Sequence, residues 1–207
     1  MTNPLFAPST LEYSLPDFAN LKDEHFAPAF EKATAAHNLE IQAILEQQEV
    51  TFENTLVALE KSGGLLSQVM HVFYNKSSSD TNEQIQALEK ELFPRYTAHN
   101  DAILLNPALF ERLRKLEQAQ KSGELKLDPE SDRLISKYLE DFRFAGAELT
   151  KVQRDRVKEI NERCLKILKL KEKSFIKPVK GKAYTKGERD WACYQTFEKS
   201  TALLKNE

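Results

Sequence analysis

Glycine is scarce, with 6 in 207 residues, while cysteine occurs twice and tryptophan once. So little glycine beside abundant Leu, Glu, Lys and Ala leans the chain toward helix. Cys164 and Cys193 have no local partner spacing. That excludes a disulfide framework and a cysteine-rich zinc site, and fits a reducing, cytoplasmic compartment. No uncharged apolar run approaches the roughly 20 residues of a membrane span. The opening MTNPLFAPSTLEYSLPDF has neither the basic nor the apolar region of a signal peptide. Neither sign of charge dominates, since 30 Lys and Arg face 32 Asp and Glu. Composition therefore points to neither nucleic acid nor an anionic membrane as partner. What the chain does have is 41% hydrophobic residues, over a length that can bury a core unaided by metal or disulfide. A globular protein of one domain, or two small ones, is expected.

Residues 1–22 carry Pro4, Pro8 and Pro16 among Leu5, Phe6, Leu11, Tyr13, Leu15 and Phe18. They read as an extended arm whose aromatics lie on the helices that follow. From Asp23 the apolar steps turn helical. Phe26, Phe30, Ala33, His37, Ile41 and Ile44 share one face, with Pro28 in the first turn. Thr51 caps a second helix, read as continuous through Phe52, Leu56, Leu59, Gly63, Leu66, Met70 and Phe73. In that stripe Gly63 marks the close approach of another helix rather than a break.

The run Ser77-Ser78-Ser79-Asp80 reads as a turn, and Asp80 with Glu83 as a capping-box variant. The third helix shows Ile85, Leu88, Leu92, Tyr96, His99 and Ile103, kinked at Pro94. Asn106-Pro107 opens a fourth, through Leu109, Leu113 and Leu116 to Ser122-Gly123. Asp128-Pro129 opens a fifth, inward at Leu134, Ile135, Tyr138, Leu139 and Phe142, and closing near Gly146. Thr150 caps the last, through Val157, Ile160 and Ile167. Strand alternation is absent. The expected fold is all-α, a bundle of about six antiparallel helices over residues 23–163.

Residues 164–207 have another composition. They hold 11 Lys or Arg against 5 Asp or Glu, a balance of +6, which leaves 19 against 27, or −8, upstream. Such a break marks a boundary and an atypical basic tail. Tyr184, Trp191, Tyr194 and Phe197 interleave there with Lys180, Lys182, Lys186 and Arg189, the mixture a single-strand binder uses. No binding fold accompanies them, so nucleic acid is not the expected partner.

Chemistry is hard to place. Zinc hydrolysis on a helix uses His-Glu-x-x-His, two imidazoles one turn apart. The four histidines, His25, His37, His71 and His99, offer no such pair. His37 and His99 each fall in an apolar stripe and read as hydrogen-bonded core residues. Cys164 reads as a small core residue, and Cys193 has no downstream histidine. Gly63-Gly64 lies inside a helical period and is no phosphate loop. Acid pairs such as Glu130 with Asp132, or Glu89 with Glu91, read as solvated helix faces. No catalytic, cofactor-binding or metal-binding residue is assigned.

Several phrases, in order, carry a resemblance. They are Asn3-Pro4-Leu5-Phe6, residues 21–30 (LKDEHFAPAF), Thr51-Phe52-Glu53-Asn54-Thr55, Asn106-Pro107-Ala108-Leu109-Phe110, residues 141–149 (DFRFAGAEL) and residues 158–163 (KEINER). Together they resemble the N-terminal helical region of the thimet-oligopeptidase family of zinc peptidases, nearest its bacterial oligopeptidase A and peptidyl-dipeptidase branch. The resemblance covers residues 3–163 and implies the N-terminal part of the neurolysin-like fold, a wall and lid of a channel for short peptides. It implies zinc only in the other half of such enzymes, whose His-Glu-x-x-His and downstream Glu have no counterpart in this sequence. A catalytically incompetent domain, from a truncated or frame-shifted copy, is the expectation. A helical peptide- or protein-binding module, or one half of a split peptidase, is the alternative. Without a catalytic half, one helical face needs cover from the tail (Leu165, Ile167, Leu168, Leu170, Phe175, Ile176 and Trp191) or from a second copy, so a tendency to dimerise is expected.

Overall fold

The computed structural model describes residues 3–161, apart from Pro8. Everything assigned to Pro8, to Cys164, Ile167 and Cys193, and to the aromatic, basic and covering residues of the tail lies outside them. Among the described residues there are helices and no strand. Helix α1 spans Phe26–Glu46, α2 Ala58–Lys61, α3 Gly64–Ser79, α4 Glu83–Leu104, α5 Pro107–Ser122 and α6 Pro129–Ala145. Residues 151–161 are again helical. Among the described residues no helix is long and apolar enough to cross a membrane.

The helix ends follow from cap chemistry. Asn106 accepts from the N–H groups of Ala108 and Leu109, at 2.9 and 3.3 Å, with Pro107 in the first position, where its missing N–H costs nothing. Asp128 accepts from Glu130 and Ser131 at 3.0 and 3.1 Å, with Pro129 behind it. Gly123 (φ +81°) and Gly146 (φ +102°) close α5 and α6 in the left-handed conformation. Thr150 and Gln153 cap the last stretch reciprocally, Thr150 N donating to Gln153 Oε1 at 3.0 Å.

Three expectations are corrected. The second helix is not continuous. It opens at Thr51, whose Oγ1 accepts from Asn54 N at 3.1 Å, and passes through a π-helical turn over Glu53–Val57 into α2. It then breaks at Ser62, extended at ψ 155°, and Gly63, at φ +71°, before α3 begins. A period of alternating 4 and 3 steps survives such a corner because α3 resumes the same buried stripe, Leu66, Met70 and Phe73. Second, the serine run is no turn. Helix α3 continues to Ser79, with Ser79 Oγ donating to Asn75 O at 2.6 Å and Asp80 closing the helix. Asn82, whose side chain accepts from Ile85 N at 2.9 Å, is the cap of α4. A serine hydroxyl that turns back on its own helix carries no stop signal. Third, the arm is not simply extended. It holds 3-10 turns at Pro4–Phe6 and Glu12–Ser14, and only Leu5 is buried in the core, whereas Leu11, Tyr13, Leu15 and Phe18 are exposed.

Burial concentrates in two clusters. One gathers Leu5, Phe26, Phe30, Leu66, Met70, Phe73, Ile85 and Leu92 where α1, α3 and α4 meet. Aromatic edges lock it, with Phe26 and Phe73 5.0 Å apart at 71° and Phe73 and Phe93 5.7 Å apart at 89°. The other joins Ile41 and Ile44 of α1 to Leu56, Leu109, Leu113, Ile135, Leu139 and Phe142 of the π turn, α5 and α6. Helices α1 and α4 serve both clusters, and a polar layer separates them.

Candidate functional site

That layer is built around one residue of α1 and one of α4. His37 follows Ala33 by one turn of α1 and precedes Ile41 by another, so it sits between the two clusters. His99 holds the corresponding place on α4, 9% exposed, between Leu92 and Ile103. Helical periodicity puts each imidazole on a core face, and packing brings them together. His99 Nε2 lies 3.0 Å from His37 Nδ1, with the ring centroids 4.9 Å apart. The other His37 nitrogen, Nε2, lies 3.2 Å from Ser62 Oγ, and Ser62 Oγ donates to Leu59 O at 2.7 Å.

These contacts fix the protons. Ser62 spends its hydrogen on the Leu59 carbonyl, so it accepts from His37 Nε2–H, which leaves His37 Nδ1 bare to accept from His99 Nε2–H. Both imidazoles are held neutral. Burial, and then the neighbouring His99, lower the proton affinity of His37, against a smaller pull upward from the Glu40 carboxylate. Burial lowers that of His99. Such a chain fixes a tautomer and can relay a proton. It presents no second base to Ser62 and no open pair of nitrogens to a metal.

Gly63 completes the corner. Its N–H donates to Glu40 Oε2 at 2.7 Å, and a Cβ added there would fall 2.6 to 3.0 Å from three atoms of the His37 ring. The expected close approach is thus real, with the imidazole face as the neighbour, and it coincides with the break in the helix. Gly63→Ala is expected to cost about 2–3 kcal/mol, from left-handed strain near 1–2 kcal/mol plus displacement of the ring. Gly123→Ala, equally left-handed but in open space, should cost only the strain. Urea titrations giving equal losses for the two would refute the ring contact.

A groove of about 430 Å³ runs beside this corner. Glu40, Ala43 and Ile44 of α1 line it with Gln47 just past that helix, together with Asn54, Ala58, Lys61 and Ser62. Its lining is more apolar than polar, and Glu40 and Ser62 of the corner belong to it. The other histidines stay apart from this site. His25 accepts from Lys22 N at 3.1 Å, and His71 is exposed. Among the described residues no three His, Cys, Asp or Glu gather as a metal could require.

Arg112 was not singled out by the sequence. It lies 8% exposed on α5, donating to Gln47 O at 2.7 Å and Glu49 O at 2.8 Å, with Asn54 Oδ1 and Thr55 Oγ1 each at 3.4 Å. It therefore ties the chain leaving α1 to the π turn. No carboxylate faces it in this set, so carbonyl dipoles carry the charge, and burial pushes its proton affinity down. The only signal in the sequence was a cation interrupting the apolar steps of α5, between Leu109 and Leu113.

No protein-family model matches the chain. Curated relatives do. The dipeptidyl carboxypeptidase of Salmonella typhimurium is 39% identical over 161 residues, which are 77% of this chain and 23% of that protein. The dipeptidyl carboxypeptidase of Escherichia coli is 36% identical over 160 residues, with the same coverage. Oligopeptidase A of Salmonella typhimurium is 23% identical over 164 residues, 79% of this chain and 23% of its own length. The match thus spans less than a quarter of the relatives' length. Over those residues the chain is homologous to one segment of dipeptidyl carboxypeptidase and oligopeptidase A, the peptidase family that its own phrases resemble.

Proposed function

We propose that this chain is a non-catalytic helical wall of an oligopeptidase-A-like peptidase, one that lines a passage for short peptides and hydrolyses none by itself. The observation that carries this reading is the conjunction of two facts. The chain is 39% identical to a dipeptidyl carboxypeptidase over only 23% of that protein, and its four histidines, spaced 12, 34 and 28 residues apart, offer no imidazoles one turn apart. The described residues do not fit zinc. His37 and His99 meet, but each is already used in a hydrogen-bond chain, and no third ligand gathers with them. The open, largely apolar groove beside α1 suits a stretch of peptide chain.

Metal analysis of the purified polypeptide, alongside cleavage of an internally quenched oligopeptide, tests the reading. Zinc well below one equivalent and no cleavage are expected. Stoichiometric zinc with turnover that a chelator abolishes would overturn it. Cleavage gained on mixing with a metal-bearing catalytic fragment would make the chain half of a split enzyme. Saturable peptide binding without cleavage, even after mixing, would make it a binding module. Self-association through an apolar face belongs to the same proposal, and sedimentation showing a monomer that binds no hydrophobic dye would remove that part.

A further inference from the structure

The polar layer between the two apolar clusters has a property that hydrolysis does not need. Every proton in the chain from His99 through His37 and Ser62 to the Leu59 carbonyl is already placed, one on each imidazole and one on the hydroxyl. A second proton on His37 can go only to Nδ1, where it meets the Nε2–H of His99 head on. Either the bond between α1 and α4 gives way to two facing donors, or His99 moves its own hydrogen to Nδ1 and the bond is kept around a cation. A second proton on His99 leaves that bond but puts a cation in the layer between two hydrocarbon clusters. Glu40 of α1 is the carboxylate that acts on His37, and it is bonded to Gly63 N at 2.7 Å. From the α2 corner, Lys61 borders the same groove. From α4 the titratable contributor is His99 itself.

We propose that this layer is an acid-opened clasp, in which neutral His37 and His99 hold α4 and the Ser62–Gly63 corner against α1, and protonation of His37 releases them. The geometry gives the release a defined target. Ser62 and Glu40 belong both to the clasp and to the groove, and Gly63 rests on the His37 ring, so separation of the imidazoles alters the corner and the groove mouth together. The sign follows from linkage. A histidine whose native proton affinity lies below its ordinary value of 6.5 contributes fully above that value. Its contribution is lost as pH falls from there toward the lower native value. The inference stands apart from the peptidase reading.

Amide hydrogen exchange of the full chain at about pH 7.5 and about pH 5.5 tests it, with rates corrected for intrinsic pH dependence. Residues 59–66 and 95–103 should lose protection by about tenfold or more at the lower pH, because the opened form gains in proportion to proton activity below the ordinary histidine value. Residues 109–116 of α5 should hold theirs. The double variant His37→Gln, His99→Gln should show no pH response at the corner. A flat response in the native chain, or an equal one in the variant, overturns the proposal. Should the variant fail to fold, imidazole nitrogen resonances of the native chain decide it. Two neutral Nε2–H tautomers titrating below 6.5 are expected, and either ring titrating at or above its ordinary value refutes the clasp.

Discussion

Arg112→Met is expected to lower the unfolding free energy by about 3 kcal/mol, because it strips four hydrogen-bond contacts from a site that is 8% exposed. Methionine matches much of the stem volume, so the loss reports the guanidinium. Two of its partners are carbonyls past the end of α1, where the chain turns toward Thr51, and two belong to the π turn. Without the fork these groups have no common donor. Arg112→Lys should recover less than half, since a single ammonium cannot span carbonyls of Gln47 and Glu49 together with Asn54. Denaturant titration with an unchanged slope is the measurement. A loss below about 1 kcal/mol for Met would mean that water replaces the guanidinium and that the tie is dispensable.

Phe73→Ala should cost about 3–5 kcal/mol, the range for emptying a large aromatic site in a core that cannot collapse. Phe73 is fully buried, edge-on to both Phe26 and Phe93, and so joins α1, α3 and α4. Phe73→Leu should cost no more than about 1.5 kcal/mol, because volume is largely kept. The contrast that gives this meaning is Phe144→Ala. Phe144 is 91% exposed and should change stability by no more than about 0.5 kcal/mol. Equal losses at Phe73 and Phe144 would show that the first cluster is not where folding energy is concentrated.

Phe142 and Phe144 show how far one dimension reaches. They lie two residues apart on α6, and helical steps of three and four from Ile135 and Leu139 select Phe142 as buried and leave Phe144 outside. The caps at Asn106 and Asp128, and the terminal glycines 123 and 146, were equally legible, because each acts through atoms within three residues of itself. The serine run failed for the same local reason, read from the wrong side. A short polar run signals a turn only if its hydroxyls do not find carbonyls of the preceding helical turn, and here Ser79 does.

The sequence by itself settled the all-helical class, most helix ends and the apolar faces of α1, α4, α5 and α6, since these depend on cap chemistry and period within a single segment. The kinship to one segment of a peptidase family was also written there, in phrases that keep their order. Only the tertiary structure decided that the second helix bends at Gly63, that Arg112 serves the carbonyls after α1, and that His37 meets His99 across 62 residues of chain. Each of those is a contact between distant segments. Its energy depends on where two or three faces come together, and periodicity within one segment carries no information about that.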